Sequence, residues 1–543
     1  MSVQNPQHDV IVIGAGITGM YQVYLLHNAG LRVQGYEAGS DVGGTWYWNR
    51  YPGCRLDTES YAYGYFELKG ILPDWQWSER FASQPELLRY AKRAADTMGI
   101  RPAFRFNTRV EAAHFDELGN IWRLRLDDGS ETSCRFLVSA VGPLSATRMP
   151  NIPGIDSFQG VSFHTSRWPR GEDEGPRDVD FTGKRVGIIG TGATGVQIIP
   201  IVAAQASKLH VFQRTANWCI PLANHALTPE LIEELRGDPE AFVDFLKTTE
   251  TAFPYRRSRK KAIDATPLER EALFESLYPM PGYGLWLGAY RDLLTNKVSN
   301  DFMVEFVTRK IRERVKDSRI AEKLIPSDHA FGTRRVPMET NYYEIYNQDN
   351  VELVDVRQTP IERVTPKGMQ VGDREIELDV LIYATGFDGV TGALDRIDIR
   401  GRGGIALKEA WADGPSTYLG VQARGFPNFF TLVGAHNGAS FCNIGVCGAL
   451  QVEWVTEMLV YMRDNRLTSS EPVPHYEEDW TRHVYDVYAQ TLLADTDAWW
   501  VRTTRNPDGS IRRRALIYVG GAPDYRERCA KVAANGYEGF ALA

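Results

Sequence analysis

Asp9-Val10-Ile11-Val12-Ile13-Gly14-Ala15-Gly16-Ile17-Thr18-Gly19 and Arg185-Val186-Gly187-Ile188-Ile189-Gly190-Thr191-Gly192-Ala193-Thr194-Gly195 carry the same pattern 176 residues apart. Each is an apolar run, then Gly-x-Gly-x-x-Gly, then a segment of helical patterning. That order predicts strand, tight turn and helix. Glycines there let backbone N–H groups approach a pyrophosphate at a helix N-terminus. A glycine-rich turn without a ligand is the plain alternative for either copy alone. Two copies imply two dinucleotides, and two dinucleotides in one chain imply electron transfer between them.

The residue ending each following strand sorts the sites. Leu31 to Glu37 reads as a second strand, and Glu37 stands 18 residues beyond Gly19. A carboxylate there accepts hydrogen bonds from a ribose diol, as in FAD or NAD. Lys208 to Gln213 is the matching strand of the second unit, and Arg214 stands 19 residues beyond Gly195. A guanidinium grips a 2′-phosphate as a fork, which points to NADPH. A solvated arginine at a strand end is the alternative.

Further out, a Trp/Tyr/Arg/Gly-rich loop runs from Gly43 to Tyr65. Val110 to Phe115, Trp122 to Leu126 and Arg135 to Val141 read as a small β-meander. Residues 222–329 are charged and helix-prone, with few strand signals. Strand patterns resume at Val351 to Val356 and Leu378 to Gly386, and Gln451 to Met462 is amphipathic. The predicted fold is α/β: two interleaved Rossmann-like dinucleotide-binding domains with a helical insertion. The expected division is an FAD-binding domain over 1–143 and 388–543. The NADPH-binding domain takes 144–221 and 330–387, and the insertion 222–329.

With 543 residues the chain exceeds a single simple core. A hydrophobic fraction of 43% and a charged fraction of 24% suit a globular protein. A net charge of −8 favours neither nucleic acid nor an anionic membrane as partner. No apolar run is long enough to span a bilayer, and Met1 to Asp9 lacks the apolar core of a signal peptide. A cytoplasmic protein, monomer or homodimer, is expected. Six cysteines are too few for a disulfide scaffold.

Phe158, Gly160, His164, Trp168 and Pro169 then fit FxGxxxHxxxWP, and with them the sequence resembles the type I Baeyer–Villiger monooxygenases. The resemblance extends to Gly43-Gly44-Thr45-Trp46-Tyr47-Trp48-Asn49-Arg50-Tyr51-Pro52-Gly53, Phe212-Gln213-Arg214-Thr215, Ala384-Thr385-Gly386-Phe387-Asp388 and Trp499. It implies FAD at the first fingerprint and NADPH at the second. It implies a small-molecule ketone and O2 as reactants, with one oxygen atom inserted to give an ester or lactone on cyclic or bulky ketones. Beyond the fingerprint glycines, Glu37 and Arg214, it implies cofactor contacts from Thr18, Gly44, Thr45, Trp46, Asp57, Tyr63, Val110, Thr191, Ala193, Thr194, Gln197, Thr215, Arg334, Arg335 and Trp499.

The same resemblance makes Arg335 and Asp57 the catalytic pair. Negative charge builds on oxygen next to the flavin, and a fixed guanidinium stabilises it without a proton to manage. Asp57 holds that arginine by ion pairing. Read without the resemblance, Arg335 is equally a surface charge. Arg334 is implied to face the 2′-phosphate, and His164 to couple domain movement rather than to catalyse. Trp499 is implied to touch the nicotinamide nucleotide, its alternative being a core aromatic.

Cys442 and Cys447 have the CxxxxC spacing of disulfide reductases. In that class the pair follows the first Rossmann unit, where this chain has only Cys54. A flavin-facing redox disulfide is therefore not expected, and Ala439 to Cys442 is expected to line the ketone pocket. The basic run Tyr255-Arg256-Arg257-Ser258-Arg259-Lys260-Lys261 reads as a solvated loop, with a contact for the phosphates of a CoA thioester as the sharper alternative. Two other activities stay open. One is a flavin enzyme of this fold that oxygenates N or S or reduces disulfides. The other is a non-enzymatic nucleotide-responsive regulator.

Overall fold

The computed structural model describes residues 6–65, 75–171, 177–438, 442–505 and 508–543. The first fingerprint sits between β1 (His8–Ile13) and α1 (Ile17–Asn28), with β2 (Val33–Tyr36) following. β1 pairs in parallel with β2 and with β6 (Glu131–Ser139), and β2 with β3 (Phe104–Arg105). β1 is central and covered on both sides, which explains its unbroken Val-Ile-Val-Ile run. The expected meander is β4 (Val110–Asp116), β5 (Ile121–Leu126) and β6, joined antiparallel. β6 starts before Arg135 and ends at Ser139.

Strands Asp398–Arg400 and Phe429–Thr431 complete this eight-stranded sheet, pairing in parallel with β4 and β6. The second sheet is all parallel and five-stranded. It contains β7 (Val161–His164), β8 (Arg185–Ile189), β9 (Lys208–Gln213), β10 (Val351–Asp355) and β11 (Val380–Tyr383), in the order β10-β9-β8-β11-β7. α2 (Ala193–Ala203) follows β8. Each sheet therefore takes strands from two separated stretches of chain. Between β9 and β10 lie helices Pro229–Gly237, Pro239–Thr248, Pro267–Leu277, Lys297–Arg314 and Ser318–Leu324, as the charged helical patterning indicates.

In the carboxy-terminal part the amphipathic stretch Gln451 to Met462 is helical, with Glu457 and Tyr461 exposed and most of its apolar residues buried. That segment belongs to a longer helix, α3 (Ile444–Asp464), whose amino-terminal turns are more fully buried. It packs along α1. The hairpin Val501–Arg505/Ile511–Ala515 carries no clear strand pattern in sequence, because arginine and threonine fill it.

Candidate functional site

The two fingerprint turns are one structure built twice. Gly14 and Gly190 have φ of 106° and 108°. A Cβ on Gly14 would lie 2.5 Å from the Ala140 carbonyl oxygen, and one on Gly190 2.4 Å from that of Ala384. Ala140 and Ala384 each stand just past the neighbouring strand, β6 or β11. Gly19 and Gly195 let each helix close back on its own turn, since a Cβ would meet the Gly14 or Gly190 oxygen at 2.0 or 2.2 Å. Gly16 and Gly192 are the N-caps of α1 and α2. Neither helix start carries a side-chain cap, and neither first turn an acidic residue. The leading N–H groups and positive helix ends are thus left for an anion. A Cβ on Gly192 would touch nothing within 4 Å, and one on Gly16 only the Gly44 Cα at 3.6 Å.

Glu37, just after β2, is buried. Its two carboxylate oxygens accept from Ala15 N at 2.9 Å and Gly39 N at 2.7 Å. Burial pushes its carboxyl up, and these amides pull partly back. Hydroxyl donors from a ribose would act in the same direction as the amides. Val110 begins β4 close by: Thr108 N donates to the Glu37 carbonyl at 2.9 Å. Thr18, on α1, is capped from above by Gly448 of α3, whose Cβ would stand 2.7 Å from the Thr18 methyl.

Arg214 is exposed at the end of β9. Thr191 Oγ1 donates to the Thr215 carbonyl at 2.9 Å, tying the second glycine turn to the Arg214 loop. Arg334 Nε donates to the Asp497 carbonyl at 2.9 Å, and its Nη2 lies 3.5 Å from Asp328 Oδ2. Burial pulls its guanidinium below the usual value. Asp328 and Asp497 push back, and the nearby charge of Arg214 adds a further lowering. Two guanidiniums in one neighbourhood suit a dianionic phosphate. Trp499 packs on Gly389, where a Cβ would meet the Trp499 carbonyl oxygen at 2.5 Å. Its segment touches the same loop as Arg334, through Thr496 Oγ1 to Thr333 Oγ1 at 2.9 Å.

The two nucleotide units face each other across the Gly43–Asp57 loop. Tyr51 OH donates to Gln197 Oε1 at 2.7 Å, and Gln197 Nε2 to the Arg55 carbonyl at 3.3 Å. Gly53 lies against α2, since a Cβ would stand 2.9 Å from the Gln197 oxygen. Thr45 and Trp46 open the short helix Thr45–Trp48 after Gly44, and Trp46 Nε1 donates to Tyr63 OH at 2.9 Å. Next along this loop, Asp57 Oδ2 accepts from Arg335 Nε at 2.9 Å and Nη2 at 2.5 Å. The two residues implied to be catalytic are therefore brought together. Burial works against the Arg335 charge, but Asp57 and Tyr283 outweigh it and hold its pKa above the ordinary value. Tyr283, which sequence reading missed, donates to the same Asp57 oxygen at 3.1 Å. Its only signal was a Gly/Pro/aromatic break, Pro279 to Gly288, inside a helical region.

The FxGxxxHxxxWP residues surround edge strand β7. Gly160 admits Phe158, since a Cβ would meet that ring at 2.5 Å and the Asp379 carbonyl at 2.6 Å. His164 is buried and pairs in register with Tyr383. Burial, with the charge of Arg167 adding to it, lowers its pKa to about 4. The imidazole is thus held neutral, with its Nδ1 2.8 Å from Ser166 Oγ. Trp168 is buried against Phe163 and Phe181. Arg167 and Arg170 stack on Trp48 and Tyr47 at 4.5 and 4.1 Å, binding this segment to the Gly43–Asp57 loop.

The Cys442 and Cys447 sulfurs are bonded, with Cα atoms 6.2 Å apart across the first turn of α3, a span a disulfide bridges. Ala439 to Phe441 lie outside the described residues, so the pocket-wall expectation rests on Cys442 alone. In the basic run, Arg257 pairs with Glu250 at 2.8 Å and borders a cavity of about 100 Å³ with Leu294, Gly438 and Tyr518. Arg259, Lys260 and Lys261 are exposed.

A chain that presents two uncapped helix starts for pyrophosphates, and fixes a cation where their units meet, is an oxidoreductase of the two-dinucleotide class. Residues 12–65 match the model of an NAD(P)-binding Rossmann-like domain. The chain is 62% identical, over 99% of both sequences, to 2-oxo-Δ3-4,5,5-trimethylcyclopentenylacetyl-CoA monooxygenase of Pseudomonas putida. It is 39% identical to a Baeyer–Villiger monooxygenase of Pseudooceanicola batsensis, over 97% of this chain and 95% of that one. A crystal structure of OTEMO in complex with FAD and NADP superposes with a TM-score of 0.97, at 60% identity, covering 99% of this chain and 100% of that one. The chain belongs to the Baeyer–Villiger monooxygenase family.

Proposed function

We propose that the protein is an FAD- and NADPH-dependent Baeyer–Villiger monooxygenase acting on a cyclic or bulky ketone. Ketone, O2, NADPH and H⁺ give the ester or lactone, NADP⁺ and water. The observation that carries this reading is the Arg335–Asp57 ion pair at the meeting of the two nucleotide units. When bound, NADPH supplies the hydride, and FAD accepts it and carries the oxygen chemistry. Glu37 and the α1 N-terminus hold FAD, and the α2 N-terminus, Arg214 and Arg334 hold NADPH. Arg335 stabilises the negative charge that develops on oxygen, and Asp57 keeps it aimed. Trp499 closes on the nicotinamide end, and His164 lies in the joint about which the NADPH unit, 144–221 with 330–387, turns against the FAD unit.

The 62% relative's name specifies a CoA-linked ketone. We carry that substrate class over to this chain, with Arg257 and its basic run as the side from which the phosphates approach. The enzyme acts as a monomer or homodimer in the cytoplasm; among the described residues no helix is long and apolar enough to cross a membrane. Purified protein with NADPH, O2 and a panel of free and CoA-linked cyclic ketones tests the reading. Ester or lactone formation is expected. NADPH consumption that yields only hydrogen peroxide across the panel would overturn it.

A further inference from the structure

Arg335 is aimed by more than its ion pair. Three donors converge on one Asp57 oxygen: Arg335 Nε, Arg335 Nη2 and Tyr283 OH. Tyr283 comes from the helical insertion and is 1% exposed, with its ring 5.9 Å from the Arg335 guanidinium carbon. It packs edge-on against Phe253 and Trp286 at 5.8 and 5.1 Å. Its backbone N–H donates to Tyr255 OH at 3.0 Å, and that hydroxyl in turn bonds the carboxylate of Glu59. Glu59 is fully buried, two residues from Asp57, with Arg80 Nη2 at 3.5 Å. The Asp57–Glu59 loop is thus gripped twice, by two tyrosines of the insertion.

The same segment also reaches the other partner. Tyr283 leads directly into a π-helical turn, Gly284–Gly288. Its Trp286 lies against Gly332, where a Cβ would come within 2.4 Å of the indole nitrogen. Gly332 is three residues before Arg335 and has φ of 79°. One short stretch therefore touches Asp57 through Tyr283 and the arginine's loop through Trp286. Irregular helical turns of this kind recur at functional sites because they aim particular side chains.

We propose that Tyr283 is a positioning residue for oxygen insertion: its hydroxyl fixes the Asp57 carboxylate, and through it the direction of Arg335. This rests on the proposed roles of that ion pair. Burial pushes the Tyr283 phenol well above its usual range, with Asp57 adding to the shift against Arg335, so the hydroxyl stays a donor. Two outcomes compete for the same electrons. Ketone, O2, NADPH and H⁺ give ester, NADP⁺ and water; without insertion, O2, NADPH and H⁺ give hydrogen peroxide and NADP⁺. A loosened Asp57 shifts the ratio toward peroxide and leaves hydride transfer alone.

The test is Tyr283→Phe in the holoenzyme, with anaerobic flavin reduction and the aerobic ester-to-peroxide ratio both measured. Flavin reduction should stay within about twofold, and the ester-to-peroxide ratio should fall on the order of five- to tenfold, the scale of one lost hydrogen bond. Tyr255→Phe, which loosens only the Glu59 grip, should shift the ratio the same way by less. Adding Tyr283→Phe to Asp57→Asn should cost little more than Asp57→Asn alone. An unchanged ratio in Tyr283→Phe overturns the proposal. So does a fall in flavin reduction as large as the fall in ester. If Tyr283→Phe does not fold, an unchanged ratio in Tyr255→Phe overturns it. A wild-type enzyme that makes no ester from any ketone would instead overturn the oxygenase reading itself.

Discussion

Arg335 and Asp57 are 278 positions apart in sequence, yet Arg335 Nε lies 2.9 Å from Asp57 Oδ2. A lysine at 335 would keep the charge but lose the two-pronged contact through Nε and Nη2. Arg335→Lys is therefore expected to reduce flavin at the wild-type rate and to lose ester formation on the order of a hundredfold, read by stopped-flow absorbance and product analysis. Arg214 has a separable task. Arg214→Ala is expected to raise KM for NADPH roughly ten- to a hundredfold and to leave KM for NADH within about twofold, because only NADPH carries the 2′-phosphate. A steady-state comparison of the two nucleotides checks this. Glu37 and Arg214 could be marked from sequence because each stands at a fixed offset from its glycines. Arg335 and Asp57 became legible only through resemblance, since nothing local marks an arginine that meets its partner across most of the chain. Tyr283 carried no signal of that kind at all.

The strand–turn–helix units are the most local parts of the molecule, which is why sequence placed them well. Gly190 illustrates how little tolerance they have. At φ of 108° and with the Ala384 oxygen 2.4 Å from any Cβ, alanine fits neither the backbone nor the space. Gly190→Ala is expected to keep the yellow flavin complex and to weaken NADPH binding at least tenfold, measured by titration on the holoenzyme. α3 was harder to read. Its amphipathic part, Gln451 to Met462, was legible, but its start at Ile444 was not, and its disulfide depends on a turn geometry that spacing alone does not specify. The Arg/Thr-rich hairpin at 501–515 was invisible for a related reason: its pairing partners are supplied by the fold rather than by its own composition.

Two buried histidines tie stability to pH across the whole molecule. His164 in the edge strand and His436, whose Nε2 lies 3.0 Å from the Ala515 carbonyl oxygen, are both lowered to about 4, chiefly by burial. In the unfolded chain each titrates near 6.5. Between those values the unfolded state binds protons that the folded state refuses. Their contribution to stability is present above about pH 6.5 and is lost as pH falls toward 4. Thermal unfolding of the holoenzyme should shift to lower temperature over that window, and His164→Asn should flatten the slope. A melting temperature constant from pH 6.5 to 4 would contradict the assignment. The two sheets add a different kind of dependence. β6 stays half-finished until Phe429–Thr431 arrives, and β8 until Val380–Tyr383 does. Neither nucleotide unit is thus a cassette: a fragment cut after the first half of either leaves a raw sheet edge, prone to aggregation. Exchange of the unit built on the second sheet between relatives would need both of its chain segments moved together.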